Sequence, residues 1–354
     1  MKTALIRADG SQSIGLGHLV RCLTLAQALR KRGWCVVFMV RRNSAAVKTL
    51  GSSGFKAEWL PSSLSEKEDG RLLRRTAARL AVSALIIDRN NPDTRGKKAF
   101  KDFLKEARSV PAVLVALDGL GHTEFRYDVL VLPFYGVKEM CLKFHPGTRT
   151  LLGAKYFLLG KDFKGMRRKS AKKGVPSVLI TTGGADPARL TEKMLEALRG
   201  TKYLFRATVV CGPAFGADRV RRIRGLVKLL PKRHSVSVAP RRMQPLIRSA
   251  DAAVISGGLT KYELAACGVP ALSLSQSEEE ARWTERFSKA GSLVHLGEGR
   301  QLSALRIRSS FEHFLTDTAG RGSMAKKGPR LVDGRGAERV VLEIEKAVKR
   351  KQAS

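Results

Sequence analysis

Short apolar runs that end in an acid or a glycine, each followed by a stretch of helical period, recur along the 354-residue chain. Trp34–Val40 (WCVVFMV) is almost continuously apolar, and Ala84–Ile87 runs straight into Asp88. Runs of this kind suit strands of a parallel sheet covered on both faces. Strands are predicted at Ala4–Arg7, Trp34–Val40, Gly54–Leu60, Ala84–Ile87, Ala112–Leu117 and Val129–Leu132. Between them, three- and four-residue apolar spacing predicts helices at Leu19–Lys31, Ala45–Gly51, Lys67–Val82 and Lys97–Ala107, with a turn at Asn90-Asn91-Pro92-Asp93.

After the basic, small-residue stretch Met166–Gly174 the pattern starts again. Strands are expected at Ser177–Thr181, Arg206–Cys211, Val236–Ala239, Asp251–Ile255 and Pro270–Leu274. Helices are expected at Leu190–Leu198, Ala217–Leu229, Met243–Ser249, Lys261–Cys267 and Glu278–Ala290. Two successive arrays imply an α/β protein of two Rossmann-like, doubly wound domains facing each other across a cleft. The expected bounds are 1–165 and 175–336, with 337–354 a closing helix striped by Val340, Val341, Ile344 and Val348.

Ligands in such sheets bind beyond the carboxyl ends of the strands. Asp9, His18, Asp88, Asp118 and His122 all fall there. The loop after the first strand carries Gly15-Leu16-Gly17-His18, so His18 lies in the first turn of its helix. The positive dipole end disfavours an imidazolium there and suits a ring that accepts a proton. A plainer alternative makes the glycines a turn and His18 a cap. In the second half, Ile255–Leu272 delivers Ser256, Gly257, Gly258, Leu259 and Thr260 to a helix start, with Glu263 one turn further. Backbone N–H groups, a hydroxyl and a helix dipole together suit a diphosphate, and a carboxylate suits a vicinal diol. Here too a glycine turn followed by an exposed helical Glu is the alternative.

Lys and Arg number 66 against 31 Asp and Glu, a net charge of +35. The cations are spread along the chain without an RNA-recognition or helix-turn-helix signature, so no specific nucleic-acid partner is expected. Weak attraction to an anionic membrane face is. No secretory leader or membrane-spanning run is read, and the five cysteines at 22, 35, 141, 211 and 267 form no CxxC pair. A cytoplasmic protein, peripheral at the inner membrane face, is expected.

Ile255–Leu272 is similar to the nucleotide-binding segment of MurG-type GT-B glycosyltransferases. Arg7-Ala8-Asp9, Ile14–His18 and Arg21–Ala26 resemble a narrower group, the PseG and SpsG-like proteins of pseudaminic acid and spore-coat polysaccharide synthesis. Thr182–Pro187 and Val332–Ala337 resemble it too. The resemblance implies a GT-B fold and hydrolysis of a UDP-linked amino-deoxy sugar in surface polysaccharide or nonulosonic acid synthesis. It implies His18 as the base that activates water, with neither metal nor cofactor. Gly17, Gly183, Gly184, Ser256, Gly257, Gly258, Leu259 and Thr260 would hold the nucleotide phosphates, and Glu263 the ribose. Asp9, Asp88 and Asp118 would face the sugar. The alternative is a glycosyltransferase using the same UDP-sugar and a glycan or lipid-linked acceptor. The chain departs from the hydrolases at Asp88-Arg89-Asn90-Asn91-Pro92, where they carry Asp-x-Tyr, and at Glu278–Thr284, where they carry Gln.

Overall fold

The computed structural model describes residues 1–10, 16–89, 97–168, 174–230 and 234–353. Gly15, the Asn90–Asp93 turn and part of the 166–174 stretch lie outside them. The chain divides into two compact units, Met1–Gly160 with Arg335–Ser354, and Lys161–Gly334.

The first unit alternates strand and helix: β1 (Thr3–Ala8), α1 (Gly17–Lys31), β2 (Cys35–Arg41), α2 (Ser44–Gly51), β3 (Lys56–Leu60), α3 (Glu66–Arg79), β4 (Ala84–Asp88), α4 (Lys97–Arg108), β5 (Val113–Leu117), β6 (Val129–Leu132) and β7 (Arg149–Leu152). Its seven strands lie in the order β3-β2-β1-β4-β5-β6-β7, all pairs parallel. The order reverses between β1 and β4, where Ala8 pairs with Asp88. The C-terminal helix, Gly336–Ala353, belongs to this unit. Its stripe Val340, Val341, Ile344 and Val348 is fully buried in one core with Ile6, Leu19, Leu25 and Val115. It covers one face of the sheet beside α1, while α3 and α4 bury the other face through Leu73, Phe100 and Phe103.

The second unit comprises β8 (Ser177–Thr181), α5 (Leu190–Leu198), β9 (Arg206–Cys211), α6 (Ala217–Lys228), β10 (Ser235–Val238), α7 (Gln244–Ser249), β11 (Ala252–Ile255), α8 (Thr260–Cys267), β12 (Ala271–Ser275), α9 (Glu278–Ser288), β13 (Leu293–Glu298), α10 (Ala304–Thr316) and α11 (Thr318–Leu331). The C-terminal helix of the first unit is therefore α12. Six parallel strands take the order β10-β9-β8-β11-β12-β13, reversing between β8 and β11.

Four elements lack a counterpart in the sequence pattern: β7, β13, α10 and α11. The helix α11 (TAGRGSMAKKGPRL) holds three glycines and an internal Pro329, all poor helix formers. Tertiary packing sustains it. A Cβ on Gly328 would lie 2.9 Å from the Ala265 Cα, so only glycine lets α11 approach α8 this closely.

Truncating the α12 stripe should weaken the first unit alone. Ile344 is wholly buried, and Ile344→Ala should cost about 2–5 kcal/mol. Denaturant unfolding of a Trp283→Phe background, whose fluorescence then reports Trp34 and Trp59, should show the loss.

Candidate functional site

Each sheet presents its reversal point with a glycine-bearing loop and a helix start, and the sequence-predicted residues gather there. In the first unit Gly17 and His18 open α1, whose N-cap Leu16 provides no side-chain cap and whose first turn holds no acid. His18, Arg21 and Cys22 lie three and four residues apart, on one helical face. That face meets Asp88 at the tip of β4. His18 Nδ1 is 2.7 Å from Asp88 Oδ1. Arg21 grips the same carboxylate through Nε and a terminal nitrogen, each at 2.5 Å, and reaches Asp118 at 2.9 Å. The Cys22 thiol donates to Asp88 Oδ2 at 3.2 Å.

Asp88 is fully buried, and burial alone would raise its pKa. The Arg21 guanidinium and the His18 hydrogen bond override that and hold the carboxyl below its ordinary value. Arg21 also lies 2.7 Å from His18 Nδ1. Two donors cannot share that line, and the ionised Asp88 oxygen is equally close. We therefore assign the Nδ1 proton to Asp88 and the Arg21 proton to the carboxylate. The Nε2 lone pair is then left to accept a proton. Burial raises the Cys22 thiol well above its ordinary value, and the neighbouring Asp88 charge adds to this, so the thiol stays protonated.

The three aspartates expected to face a sugar separate. Asp88 has no exposed surface and braces His18 instead. Asp118, in the left-handed region at φ 58°, keeps a partly open side chain and anchors Arg21. Asp9 is bonded elsewhere: Arg7 takes both of its oxygens, at 2.6 and 2.9 Å, and the Arg41 amide donates at 3.1 Å. Arg7 is fully buried and also pairs with buried Asp69 at 2.7 Å, so Asp9 serves to neutralise it. His122 is buried as well, hydrogen-bonded to the Tyr127 hydroxyl at 2.7 Å and packed on Phe100. It is a core histidine.

In the second unit the loops after β8 and β11 adjoin. Gly183 adopts φ 92°, and a Cβ there would lie 3.9 Å from Ser256 Oγ. Asp186 fixes the first loop. It accepts the Leu190 and Thr191 amides at 2.8 and 3.0 Å, Gln276 Nε2 at 2.8 Å and Arg219 at 2.6 Å. Gly257 packs so tightly that a Cβ would collide with Thr284 and sit 2.7 Å from Ser275 Oγ. The N-cap of α8, Leu259, has no side-chain cap. Among the described residues no group accepts from the amides of Gly258, Leu259 or Thr260. Leu259 itself is exposed, Ser256 is buried and Thr260 is half-buried. Glu263 retains some exposure, makes no hydrogen bond or ion pair among the described residues, and is pushed up to about 7 by burial. Free amides, an uncapped helix start and an unpaired carboxyl form a set that anionic and diol groups can complete.

No protein-family model matches the chain. An uncharacterized protein of Methanocaldococcus jannaschii is 28% identical over 307 residues, 84% of this chain and 60% of that protein, so the chain spans less than two thirds of that relative. The spore coat polysaccharide biosynthesis protein SpsG of Bacillus subtilis is 25% identical over 344 residues, 96% of this chain and 97% of that protein. Among solved structures, Acinetobacter baumannii MurG superposes with a TM-score of 0.73 at 16% identity, covering 98% of this chain and 100% of that one. The chain is similar to SpsG over nearly its whole length and has the GT-B fold of MurG. The spinosyn rhamnosyltransferase SpnG, complexed with thymidine diphosphate, has a TM-score of 0.64 at 15% identity over 97% of this chain and 99% of that one.

On this GT-B fold, sequence reasoning gave no role to Arg21, Lys261 or Glu280. The signal for Arg21 was its i+3 spacing from His18. For Lys261 it was the helix TKYELAAC, whose apolar residues leave no wet face for a lysine.

Asp9, Asp69 and Asp88 all have folded pKa values below their unfolded ones. Their stabilisation is complete above the unfolded value of about 3.9 and is lost as pH falls through the depressed folded values. Melting of the first unit should therefore be flat from about pH 7 to 5 and fall steeply below about pH 4. Asp88→Asn should cost about 3–5 kcal/mol at neutral pH, because Arg21 stays buried with its main partner gone, and should shallow the acid limb.

Proposed function

We propose that the protein is a nucleotide-sugar hydrolase that releases UDP from a UDP-linked amino-deoxy sugar, in surface polysaccharide or nonulosonic acid synthesis. The observation that carries this is the His18–Asp88 pair at 2.7 Å, which commits Nδ1 and frees Nε2. Nε2 takes a proton from water as its oxygen bonds to the anomeric carbon. The bond from that carbon to the diphosphate oxygen breaks, and its electron pair leaves with UDP. Asp88 stabilises the imidazolium that forms, as a buried carboxylate behind a base does. Arg21 keeps Asp88 ionised throughout.

The charge appearing on the diphosphate meets the unoccupied amides of Gly258, Leu259 and Thr260 and the start of α8. Gly17 offers a second uncapped helix start in the first unit, and Gly183, with Gly184 next to it in the loop, borders Ser256. Glu263 accepts from the ribose diol, whose two donors relieve a carboxylate that burial disfavours. A dTDP-bound rhamnosyltransferase and a spore-coat biosynthesis protein among the relatives support a nucleotide-sugar substrate.

Glycosyl transfer is the second reading, favoured by the likeness to MurG and SpnG. The same Nε2 would then deprotonate an acceptor hydroxyl. Among the described residues no helix is long and apolar enough to cross a membrane. A net charge of +35 would draw the protein weakly to an anionic membrane face, where a lipid-linked acceptor would lie.

Incubation with a panel of UDP-sugars and no acceptor should release UDP, and His18→Ala should slow release by about 10²–10⁴-fold. Release only on adding a glycan or lipid acceptor would select transfer. Glu263→Ala should weaken UDP binding by about 1–3 kcal/mol in calorimetry; unchanged affinity would remove Glu263 from the site.

A further inference from the structure

Beneath the Gly257 loop lies a buried lysine. Lys261, second residue of α8, is 6% exposed, and its Nζ donates to the Gly257 carbonyl. It also lies 3.3 Å from Thr284 Oγ1. Thr284 has one hydroxyl proton, and the Glu280 carbonyl at 2.8 Å takes it in preference to Gly257 at 3.2 Å. Lys261 is thus the effective donor to the Gly257 carbonyl.

A trans peptide points its C=O and the following N–H in opposite directions. Pinning the Gly257 carbonyl inward on Lys261 turns the Gly258 N–H outward, and that amide has no partner among the described residues. Gly257 has no room for a side chain, so the peptide is tight against Thr284 and Ser275. We propose that Lys261 is a positioning residue: it locks the Gly257–Gly258 peptide so that the Gly258 amide is presented to the departing diphosphate. This rests on reading the loop as the diphosphate grip.

The surroundings make the lock sensitive to pH. Glu280 on α9 attracts the ammonium, and His295 on β13 is the other titratable group facing it; Glu285 faces His295. Burial lowers the lysine to about 8, opposed by Glu280. Among the described residues the hydroxyls of Ser273 and Ser275, wholly buried on β12, have no partner. As pH rises through about 8, Lys261 loses its charge and the grip on the carbonyl weakens.

The test is UDP calorimetry on the whole chain from about pH 6.5 to 9.5, with Lys261→Met beside the wild type. The wild type should lose about tenfold in affinity across an alkaline limb centred near pH 8. Lys261→Met should bind about tenfold more weakly at pH 7 and lack that limb, since the ammonium that produces it is gone. In ligand-free protein, amide exchange in the Ile255–Glu263 segment should be faster in Lys261→Met, with the β8 segment unchanged. Wild-type affinity with an intact alkaline limb in Lys261→Met would overturn the proposal. If the wild type binds no UDP at all, the nucleotide reading falls. The exchange comparison then decides by itself: equal protection in both proteins overturns the lock, and selective loss supports it.

Discussion

The inner strands of a parallel sheet direct their backbone hydrogen bonds to one another and leave none at the rim to offer a ligand. The amides that remain available are those of helix starts, and right-handed crossovers bring these to the rim where the strands end. Both sheets of this chain obey that constraint. Each reverses its strand order once, between β1 and β4 and between β8 and β11. Each opens an uncapped helix beside that reversal, α1 with Gly17 and α8 with Thr260. The chemistry of the two rims differs only in what the side chains add.

In the first unit they add charge in balanced, buried form. Arg21 is held between Asp88 and Asp118, and Arg7 between Asp9 and Asp69. Buried ions of this kind contribute little net stability, because desolvation consumes most of the attraction. What they supply is definition. A carboxylate held in place and kept ionised at neutral pH fixes the tautomer of His18. In the second unit the acids Asp186 and Glu280 are taken up by the loops themselves. Glu263 is unpaired among the described residues and Lys261 is turned inward, so the amides of Gly258, Leu259 and Thr260 are what the rim offers an incoming anion.

The strand-loop-helix alternation was legible because a strand covered on both faces needs an unbroken apolar run. Val36–Val40 and Leu85–Ile87 could be little else. The edge strand β7 (RTLL) is too short to stand out, and α11 contradicts its own propensities. Within the candidate site, His18, Asp88 and Asp118 could each be picked from a strand end or helix start. Their partnerships could not. His18 and Asp88 are 70 positions apart, and nothing local to either shows that Arg21 joins them. The same limit hid the burial of Asp9, since nothing in the helix read at Lys67–Val82 marks Asp69 as its neighbour across Arg7. A residue's type is local information, whereas its partner is a product of topology.

The C-terminal helix belongs to the unit that the chain begins, whereas Lys161–Gly334 is continuous. A ribosome therefore delivers the intervening unit whole while the earlier one still lacks a wall. Until residues 335–354 have been made, the core around α1, β5 and β6 lacks the Val340, Val341, Ile344 and Val348 side chains that complete it. The nascent first half must wait in that state, a natural client for a holding chaperone, while its neighbour is free to complete itself. The histidine-bearing helix α1 packs against α12, so its final seating comes only once residues 335–354 have been made.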